Sequence, residues 1–399
     1  MIYKMMKDIK KYQKAEKLKK WANEVQEIPA FKDKFEHLKK RLHPKKQILK
    51  VSHIKKLSHD TVLLRLISND SLKPLSPYRA GQYIGLTVEI NGIKTIRPYS
   101  LVSSPNQLAY YELGIKRKQN GFVSPYLVGN VNVGDKFEAT EPLGQFYHNP
   151  LFHGNKLVFI AGGCGITPFM SMLRYFTELS KSIEIWLIFG CLTQQDILFK
   201  EELDNLQNNH PNIHIDYVLS EANSEWKGLC GFITKEVIAE FLSSPLTKFY
   251  YICGNRAMYD FILNQLIELN IPRHHILFEA FGVPDDVTEV IGWPEELTSS
   301  DEFEIKVDLI ENGKKVQKII SASCTEPLLN TLERKLNIHE KINSGCRSGD
   351  CALCRTKLES GMVFVPPEVN LREADKNFGY IHPCISYPIT EIHLNLKMI

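Results

Sequence analysis

The chain has 399 residues, of which 43% are hydrophobic and 24% are charged, and these are ordinary values for globular proteins. They exclude a disordered, a collagen-like or a disulfide-scaffold protein, and the length favours two to three domains. The net charge is +3, but residues 1–50 carry 15 lysines and one arginine against six acidic residues, which leaves −7 for the rest. No apolar run is long enough to cross a membrane, and we find no signal-peptide pattern. We therefore expect a cytoplasmic protein.

Residues 1–45 are predicted to form a basic helical arm. Apolar residues recur in it at spacings of three and four, which is the period of one helix face: Trp21, Val25, Ile28, Phe31, Phe35, Leu38 and Leu42. Pro29 is expected to start a second helix, because proline suits the first helical turn. Such a stripe most often packs against the protein's own body, which we favour. Peripheral contact with an anionic membrane and docking to an acidic partner stay open.

The rest of the chain changes pattern twice. Residues 46–150 contain short β-rich runs separated by turn dipeptides such as Asn91-Gly92, which predicts an antiparallel β-barrel. Residues 151–282 alternate apolar strands with helices, which predicts a parallel α/β sheet. Residues 283–302 are acidic, contain two prolines and are predicted to be a linker. Residues 303–399 begin with a hairpin and form a last domain.

Four of the nine cysteines follow a C-x4-C-x2-C…C pattern, formed by Cys346, Cys351, Cys354 and Cys384. This is the plant-type [2Fe–2S] spacing, in which a tight loop supplies three thiolates and lets backbone N–H groups point at the sulfurs. A structural zinc site usually uses two close pairs, whereas Cys384 stands alone in the sequence. The others show no ligand spacing, and all of them except Cys253 are predicted to be core thiols: Cys164, Cys191, Cys230 and Cys324.

Four further segments each give only a weak prediction of a ligand-binding site when they are taken alone. In the barrel region, Arg97-Pro98-Tyr99-Ser100 resembles an ordinary strand end, and Ser124 before Pro125 is predicted to cap a helix whose free N–H groups suit an anion. In the α/β region, the glycine-rich turn from Gly162 to Pro168 follows the first strand, where a dinucleotide pyrophosphate approaches the backbone. Cys253-Gly254-Asn255 ends the last long strand, at the edge where open sheets bind ligands.

In this order, the motifs resemble the ferredoxin–NADP reductase superfamily, in the branch with a plant-type ferredoxin domain fused at the C-terminus. That branch includes reductase components of oxygenases and the hybrid-cluster-protein reductases. The resemblance covers about residues 47–399 and leaves the arm outside. It implies that the barrel binds FAD, that the α/β domain binds a nicotinamide nucleotide, and that residues 303–399 form an α+β, β-grasp [2Fe–2S] domain.

The resemblance also implies a role for individual residues. Tyr99 would stack on the isoalloxazine, Ser100 would lie near flavin N5, and Arg97 would bind the pyrophosphate. Cys253 would lie beside the nicotinamide C4, and Thr167 near both cofactors. Further contacts are implied to FAD at Ile115, Lys116, Gly121, Phe122, Val123, Ser124 and Phe281, and to the nicotinamide nucleotide at Gly162, Gly163, Gly165, Pro168, Gly254 and Asn255. We nominate no acid–base pair or nucleophile beyond the cofactors.

NAD(P)H delivers electrons as a hydride, an iron–sulfur cluster accepts them singly, and a flavin joins the two. The resemblance therefore implies an oxidoreductase that passes electrons from NAD(P)H to FAD, to [2Fe–2S] and to an external redox protein, such as an oxygenase, a desaturase or a hybrid-cluster protein. Direct reduction of a quinone or ferric complex, and a redox-sensing module, are the alternatives. The intact nicotinamide loop argues against a sensor, and no nucleic-acid partner is expected.

Two choices of cofactor follow from the local sequence. FAD is favoured over FMN, because the predicted Ser124 cap offers a pyrophosphate site. NADH is favoured over NADPH, because the segment from Gly190 to Asp196, which follows the second parallel strand, has no arginine for a 2′-phosphate. Lys200, a helical turn further on, is the residue that could substitute for one.

Overall fold

The computed structural model describes residues 29–396 except 45, 71–72, 281, 285, 337, 339–341 and 370. The chain divides into two compact units, residues 1–45 and 46–399. The described part of the first unit is one helix, α1 (Pro29–Leu42), which begins at the expected proline. Phe35 and Leu38 of this helix are exposed. The predicted first helix, with Trp21, Val25 and Ile28, lies outside the described residues.

Six strands of the second unit form an antiparallel sheet in the order β4-β3-β6-β1-β2-β5. The strands are β1 (Gln47–Lys56), β2 (Thr61–Ser68), β3 (Tyr83–Ile90), β4 (Ile93–Ser100), β5 (Tyr111–Lys116) and β6 (Lys136–Ala139). An antiparallel bridge between Leu101 and Leu113 joins the end of β4 to β5, so the two edges of the sheet meet and form the predicted barrel. A short helix, α2 (Ser124–Gly129), follows β5.

The next six strands are all parallel and have the order β10-β9-β8-β7-β11-β12. They are β7 (Lys156–Gly162), β8 (Glu184–Cys191), β9 (Ile213–Leu219), β10 (Leu229–Cys230), β11 (Phe249–Gly254) and β12 (Ile276–Ala280). Four helices accompany them, α3 (Thr167–Glu178), α4 (Lys200–Asn209), α5 (Lys235–Phe241) and α6 (Arg256–Glu268). The chain reverses its direction across the sheet between β7 and β11. The carboxyl ends of these two strands are therefore where a ligand of such a sheet binds.

The barrel and the parallel sheet share a buried interface. Arg174 of α3 lies 2.6 Å from Glu202 of α4 and 2.9 Å from Glu112 of β5, and Glu112 also pairs with Arg65 of β2 at 2.8 Å. A carboxylate as buried as Glu112 needs cationic partners, because an unpaired charge there would be costly. The network therefore fixes the carboxyl edge of the parallel sheet against the barrel.

The C-terminal part is a mixed sheet in the order β14-β13-β19-β15-β17, in which only β13 and β19 are parallel. Its strands are β13 (Glu302–Glu311), β14 (Lys314–Ser323), β15 (Thr356–Ser360), β17 (Tyr380–Ile381) and β19 (Ile392–Asn395). A small sheet pairs β16 (Val363–Phe364) with β18 (Tyr387–Pro388), and the helices are α7 (Leu328–Leu336) and α8 (Glu373–Asn377). The predicted hairpin turns at Asn312 and Gly313, with φ of 50° and 76°. The predicted fold class, an antiparallel β-barrel followed by a parallel α/β sheet and an α+β domain, is confirmed.

The predicted linker, residues 283–302, is packed against the C-terminal part. Val287 and Trp293 are buried and share a hydrophobic cluster with Cys324, Phe364 and Tyr387. Trp293 therefore ties the segment to the sheet that follows it. Among the described residues, no helix combines the length and apolar composition that crossing a bilayer requires.

Candidate functional site

The structure brings the four clustered cysteines together as two pairs. Cys346 hydrogen-bonds with Cys351, and Cys354 hydrogen-bonds with Cys384. The hydrogen bond within each pair lowers the pKa of one thiol, that of Cys346 or Cys354, and raises the pKa of the other. In the part of the chain that the structure describes, no three metal-ligating side chains converge on one point. Two pairs of sulfurs fit the demand of two irons, each of which takes two protein thiolates in a [2Fe–2S] cluster.

Backbone N–H groups of this cluster loop, residues 343–355, point at the sulfurs. Cys346 Sγ accepts from the N–H of Cys351 at 3.3 Å and from the N–H of Ser348 at 3.5 Å, and Cys351 Sγ accepts from the N–H of Cys346 at 3.5 Å. Gly349 has φ of 91°, and a Cβ there would lie 2.7 Å from Val369. The loop is therefore tight enough to direct donors that stabilise thiolate charge.

His382 anchors the cluster loop to the strand region that carries Cys384. It is fully buried, with Nδ1 at 2.7 Å from the carbonyl oxygen of Gly349 and Nε2 at 3.0 Å from Asp375 Oδ2. Both ring nitrogens are thus used, and the fourth cysteine is held at a fixed position relative to the first three.

The end of β4 places Tyr99 and Ser100 at the boundary of the barrel. Burial raises the pKa of Tyr99. Ser100 is buried, and its hydroxyl has no hydrogen-bond partner in the described part of the chain. In the register of the barrel, Ser100 lies opposite Tyr83 of β3. The tyrosine ring and the hydroxyl are therefore available to a ligand at this edge.

Arg97 points in another direction. Its guanidinium donates to Thr95 Oγ1 and to the carbonyl oxygen of Ile96, and it lies 3.9 Å from Glu333 Oε2 of α7. Burial, with a contribution from the nearby Arg347, lowers the pKa of Arg97 to about 9. The residue predicted to hold the pyrophosphate thus faces an acidic group of the C-terminal part.

The prediction that Ser124 caps helix α2 is wrong. Helix α2 begins at Ser124, its N-cap position is Val123, and the Ser124 hydroxyl accepts the N–H of Lys118 at 2.9 Å. The turn after β5 brings that N–H within reach, so the hydroxyl is used by the turn instead of the helix. Phe122 is exposed and Val123 is buried. The cap therefore gives no support to FAD over FMN.

Near this segment, β5 ends in Ile115, which is buried, and Lys116, whose Nζ lies 3.5 Å from Asp60 Oδ2. Gly121 precedes α2 in the same turn, and a Cβ there would lie 3.0 Å from the carbonyl oxygen of Lys118.

The glycine-rich turn lies at the carboxyl ends of β7 and β11. Gly162 ends β7, residues 163–166 form a 3₁₀ turn, and Thr167 and Pro168 begin α3. A Cβ at Gly165 would lie 2.1 Å from the carbonyl oxygen of Cys253, so only glycine fits there. The Thr167 side chain packs over Gly114 of β5, where a Cβ would lie 2.6 Å from its methyl group. The turn therefore meets both β11 and the barrel.

At the end of β11, Cys253 is fully buried, and burial raises the pKa of its thiol well above the ordinary value. Gly254 ends the strand, and a Cβ there would lie 2.7 Å from the sulfur of Met258. Asn255 is the N-cap of α6, where its Oδ1 accepts the N–H of Met258 at 2.8 Å. The Asn255 side chain thus caps the start of helix α6.

Glu279 is a residue of this site that the sequence analysis did not nominate. It lies opposite Cys253 in the pairing of β11 with β12, and no described residue hydrogen-bonds with its Oε2. Burial first, then Cys346 and Asp350 of the cluster loop, raise the pKa of Glu279 well above its ordinary value, and the Ser100 side chain lies close to this carboxyl. The signal in the sequence is a single acid in the apolar strand Ile276–Ala280. Phe281, which follows it, lies outside the described residues.

The residues at this junction fit a flavin and a nicotinamide ring. Ser100 Oγ and Glu279 Oε2 are buried polar atoms without a hydrogen-bond partner among the residues that the structure describes, and Tyr99 supplies an aromatic ring. The turn at Gly165 cannot carry a side chain, so backbone is presented there to a ligand. The cluster loop is adjacent, because a Cβ at Gly345 would lie 3.4 Å from the hydroxyl of Tyr83. The barrel edge at Tyr99 and Ser100, the glycine-rich turn and the cluster loop therefore lie in the same region of the protein.

The chain matches three protein families in the order of its three parts. Residues 48–148 match the oxidoreductase FAD-binding domain, residues 159–264 the oxidoreductase NAD-binding domain, and residues 310–388 the 2Fe-2S iron-sulfur cluster binding domain. The matches cover the barrel, the parallel sheet and the sheet with the paired cysteines.

Curated relatives extend these matches. The chain is 26% identical to the glycine betaine monooxygenase reductase subunit of Chromohalobacter salexigens over 329 residues, which cover 79% of this chain and 86% of the relative. It is 35% identical to NADH-cytochrome b5 reductase 1 of Dictyostelium discoideum over 210 residues, which cover 51% and 72%. The solved structure of phthalate dioxygenase reductase shares the fold with a TM-score of 0.64 and 24% identity, over 88% of this chain and 98% of that one.

The chain belongs to the ferredoxin–NADP reductase superfamily, in the branch with a C-terminal [2Fe–2S] domain. It is an NAD(P)H-dependent oxidoreductase whose cofactors are FAD and a [2Fe–2S] cluster. Electrons pass from the nicotinamide through FAD to the cluster and on to a downstream redox partner, as the sequence predicted.

Proposed function

We propose that this reductase oxidises NADH and delivers single electrons to an oxygenase-type redox protein. When bound, the flavin takes the two electrons of the hydride and the cluster passes electrons on one at a time, so these groups supply the redox chemistry. The observation that carries the proposal is the junction of Ser100, Cys253 and Glu279, which lies beside the loop of paired cysteines. Each NADH is oxidised to NAD⁺ and a proton, and its two electrons are delivered to the partner one at a time.

The chain's own residues bind and orient these groups. We assign Tyr99 to the face of the flavin, Ser100 and Glu279 to its polar edge, and Cys253 with Thr167 to the nicotinamide side. Burial raises the pKa of the Glu279 carboxyl well above its ordinary value, which favours the protonated form, and that form can donate a hydrogen bond there. The close packing of Thr167 on Gly114 joins the start of α3 to the barrel strand β5. We propose the remaining contacts as the resemblance implied them, except that of Arg97, because its guanidinium faces Glu333.

Cys346 and Cys351 would hold one iron, and Cys354 and Cys384 the other. This assignment is supported by the hydrogen-bonded pairs of thiols and by the N–H groups directed at Cys346. We also propose that the FAD domain comprises residues 46–150, the nucleotide domain residues 151–282 and the cluster domain residues 303–399. The packing of Trp293 with Phe364 and Tyr387 supports grouping the linker, residues 283–302, with the cluster domain.

NADH is favoured by the contacts of the residues that follow β8. Asp196 accepts hydrogen bonds from the N–H and hydroxyl of Thr193, and Lys200 pairs with Asp204 at 2.5 Å. Lys200 also lies over the Tyr217 ring, so its charge is already engaged. A relative whose name specifies NADH points the same way. Steady-state kinetics with both nucleotides test this: kcat/KM for NADPH tenfold above that for NADH would reverse the proposal.

The oxygenase-type partner is supported by the name of the monooxygenase reductase subunit among the relatives. The test is to mix the purified reductase and NADH with a purified terminal oxygenase component and follow reduction of that component. Rapid transfer that is lost in Cys351→Ser supports the proposal. If Cys351→Ser still reduces a quinone or a ferric complex as fast as the wild type, direct reduction of a small acceptor is the better account.

For the arm, we propose that the helical stripe of residues 1–45 covers apolar surface, with its lysines facing outward. Phe35 and Leu38 are exposed apolar side chains of this stripe. Deleting residues 1–45 should lower the melting temperature and leave the flavin and cluster absorbance intact. Flotation with anionic vesicles separates the alternatives: salt-sensitive binding that the deletion abolishes would assign the arm to a membrane surface.

A further inference from the structure

A group of charged and polar side chains is buried between the barrel and the cluster loop. It joins Thr95 and Arg97 of β4, Glu333 of α7, and Arg347, which follows directly after the ligand Cys346. Glu333 Oε1 accepts a hydrogen bond from Arg347 Nη2, and Glu333 Oε2 accepts one from Thr95 Oγ1 at 2.8 Å. Arg347 Nη2 also donates to Thr95 Oγ1 at 3.0 Å, and Arg97 Nη1 lies 3.9 Å from Glu333 Oε2.

The carboxylate of Glu333 supplies the negative charge that compensates the two guanidinium groups of this arrangement. Its side chain is 4% exposed, that of Arg347 is 8% exposed, and that of Arg97 is 23% exposed. Two guanidinium groups approach one carboxylate, so removing its charge would leave two buried cations facing each other. Breaking a buried pair from one side is costly, because the remaining charge stays out of water without compensation.

The group connects the two segments that the proposed function assigns to different cofactors. Arg347 lies next to Cys346, and its Nη1 donates to Asn330 Oδ1 of α7 at 2.9 Å. Arg97 lies two residues before Tyr99 on the flavin strand. A single carboxylate therefore holds the cluster loop against the flavin strand through hydrogen bonds on both sides.

We propose that Glu333 is a positioning residue for electron transfer between flavin and cluster. It fixes how closely the cluster loop approaches β4, and electron transfer slows steeply as two redox groups move apart. Cys253 and Thr167, which the proposed function assigns to the nicotinamide side, lie on β11 and α3 and not in this group, so we expect hydride transfer into the flavin to be independent of the contact. The proposal rests on the proposed function, because it takes β4 and the loop as the flavin and cluster segments.

Other contacts keep the cluster domain docked when this one is weakened. Arg256 of α6 donates to the carbonyl oxygen of Glu368 at 2.6 Å, which joins the parallel sheet to the cluster domain. Tyr83 of β3 lies beside Gly345 of the loop. A Glu333→Gln variant should therefore fold and keep both cofactors, while the position of the cluster loop relative to β4 becomes less fixed.

The experiment is anaerobic stopped-flow mixing of the holoenzyme with NADH, in which bleaching of the flavin and of the cluster is followed separately. Glu333→Gln should slow the cluster phase about tenfold and leave the flavin phase within about twofold of the wild type. Glu326→Gln is the matched control. Glu326 pairs at 2.6 Å with Arg334, which is partly exposed and lies on the same helix as Glu333. Neither phase should change in that control.

A readout that does not depend on turnover is hydrogen exchange. Amides of β4 and of the cluster loop should exchange faster in Glu333→Gln than in the wild type and in Glu326→Gln. If Glu333→Gln fails to fold, Thr95→Val removes one hydroxyl of the same group and should slow the cluster phase by a smaller factor.

Two results would overturn the proposal: a cluster phase slowed less than about threefold in Glu333→Gln, or flavin and cluster phases that fall together. Unchanged exchange in β4 and the loop, or an unchanged cluster phase in Thr95→Val, would also count against it. Wild-type protein that NADH does not bleach at all would instead contradict the proposed function.

Discussion

Glu279 lies opposite Cys253 on the neighbouring parallel strand; the Cys253 side chain is fully buried, and Glu279 is half-buried with its Oε2 atom shielded from solvent. Among the described residues, the carboxyl oxygen Oε2 has no hydrogen-bond partner, and Ser100 of the barrel lies close to this carboxyl. A strand pairing of the parallel sheet and the end of a barrel strand thus create one polar site, which neither part of the chain forms alone.

Glu279 should make stability depend on pH. Its pKa is raised above the ordinary value of 4.5 by burial, so the folded protein keeps a proton that the unfolded chain releases above that pH. The free energy of unfolding should therefore fall as pH rises above that value, by up to about 1.4 kcal/mol per pH unit. Glu279→Gln should remove this part of the slope. Urea unfolding across neutral and mildly alkaline pH checks it, and equal slopes in the two proteins would refute the assignment.

Gly165→Ala should damage the nucleotide turn. The new methyl group would lie 2.1 Å from the carbonyl oxygen of Cys253, so the turn and β11 must move apart. We expect a loss of about 1–3 kcal/mol in the free energy of unfolding and a higher KM for NADH. Gly129→Ala is the control, because a Cβ there meets only the end of the flexible Arg117 side chain, at 3.2 Å. Equal stability and KM in both variants would contradict the role of the turn.

The nucleotide preference should respond to the pairing of Lys200 with Asp204. Lys200→Gln should leave the ratio of kcat/KM for NADH and NADPH within about twofold, because the ammonium is already paired. Asp204→Asn should release it and improve kcat/KM for NADPH relative to NADH. Kinetics with both nucleotides measure the two effects. A large loss of NADPH activity in Lys200→Gln would show that this lysine already binds a 2′-phosphate.

Much of the fold was predictable because it follows from local periodicity and turn chemistry. The apolar runs of β7, β8, β9 and β11 mark strands that are buried on both faces, and Asn312-Gly313 marks a hairpin whose residues need positive φ. The cysteine spacing predicted the iron–sulfur domain for a similar reason, since three ligands lie within nine residues of sequence.

What the sequence did not predict depends on contacts between distant segments. Glu279 becomes a site residue only through its register with Cys253, and Glu333 only because Arg347 and Thr95 meet it from different domains. The Ser124 cap was wrong because a nearby turn uses the hydroxyl. Cys230 is exposed, whereas we expected a core thiol, because β10 is a two-residue edge strand.

The central claim is that electrons from NADH reach the paired cysteines through the flavin. An anaerobic NADH titration of the holoenzyme, followed by visible absorbance and by electron paramagnetic resonance of the reduced cluster, tests it most directly. We expect the wild type and Cys230→Ser to show flavin bleaching and a reduced-cluster signal, and Cys351→Ser to bleach its flavin without that signal. A reduced-cluster signal that persists in Cys351→Ser, or wild-type flavin that NADH reduces while the cluster stays oxidised, would contradict the account.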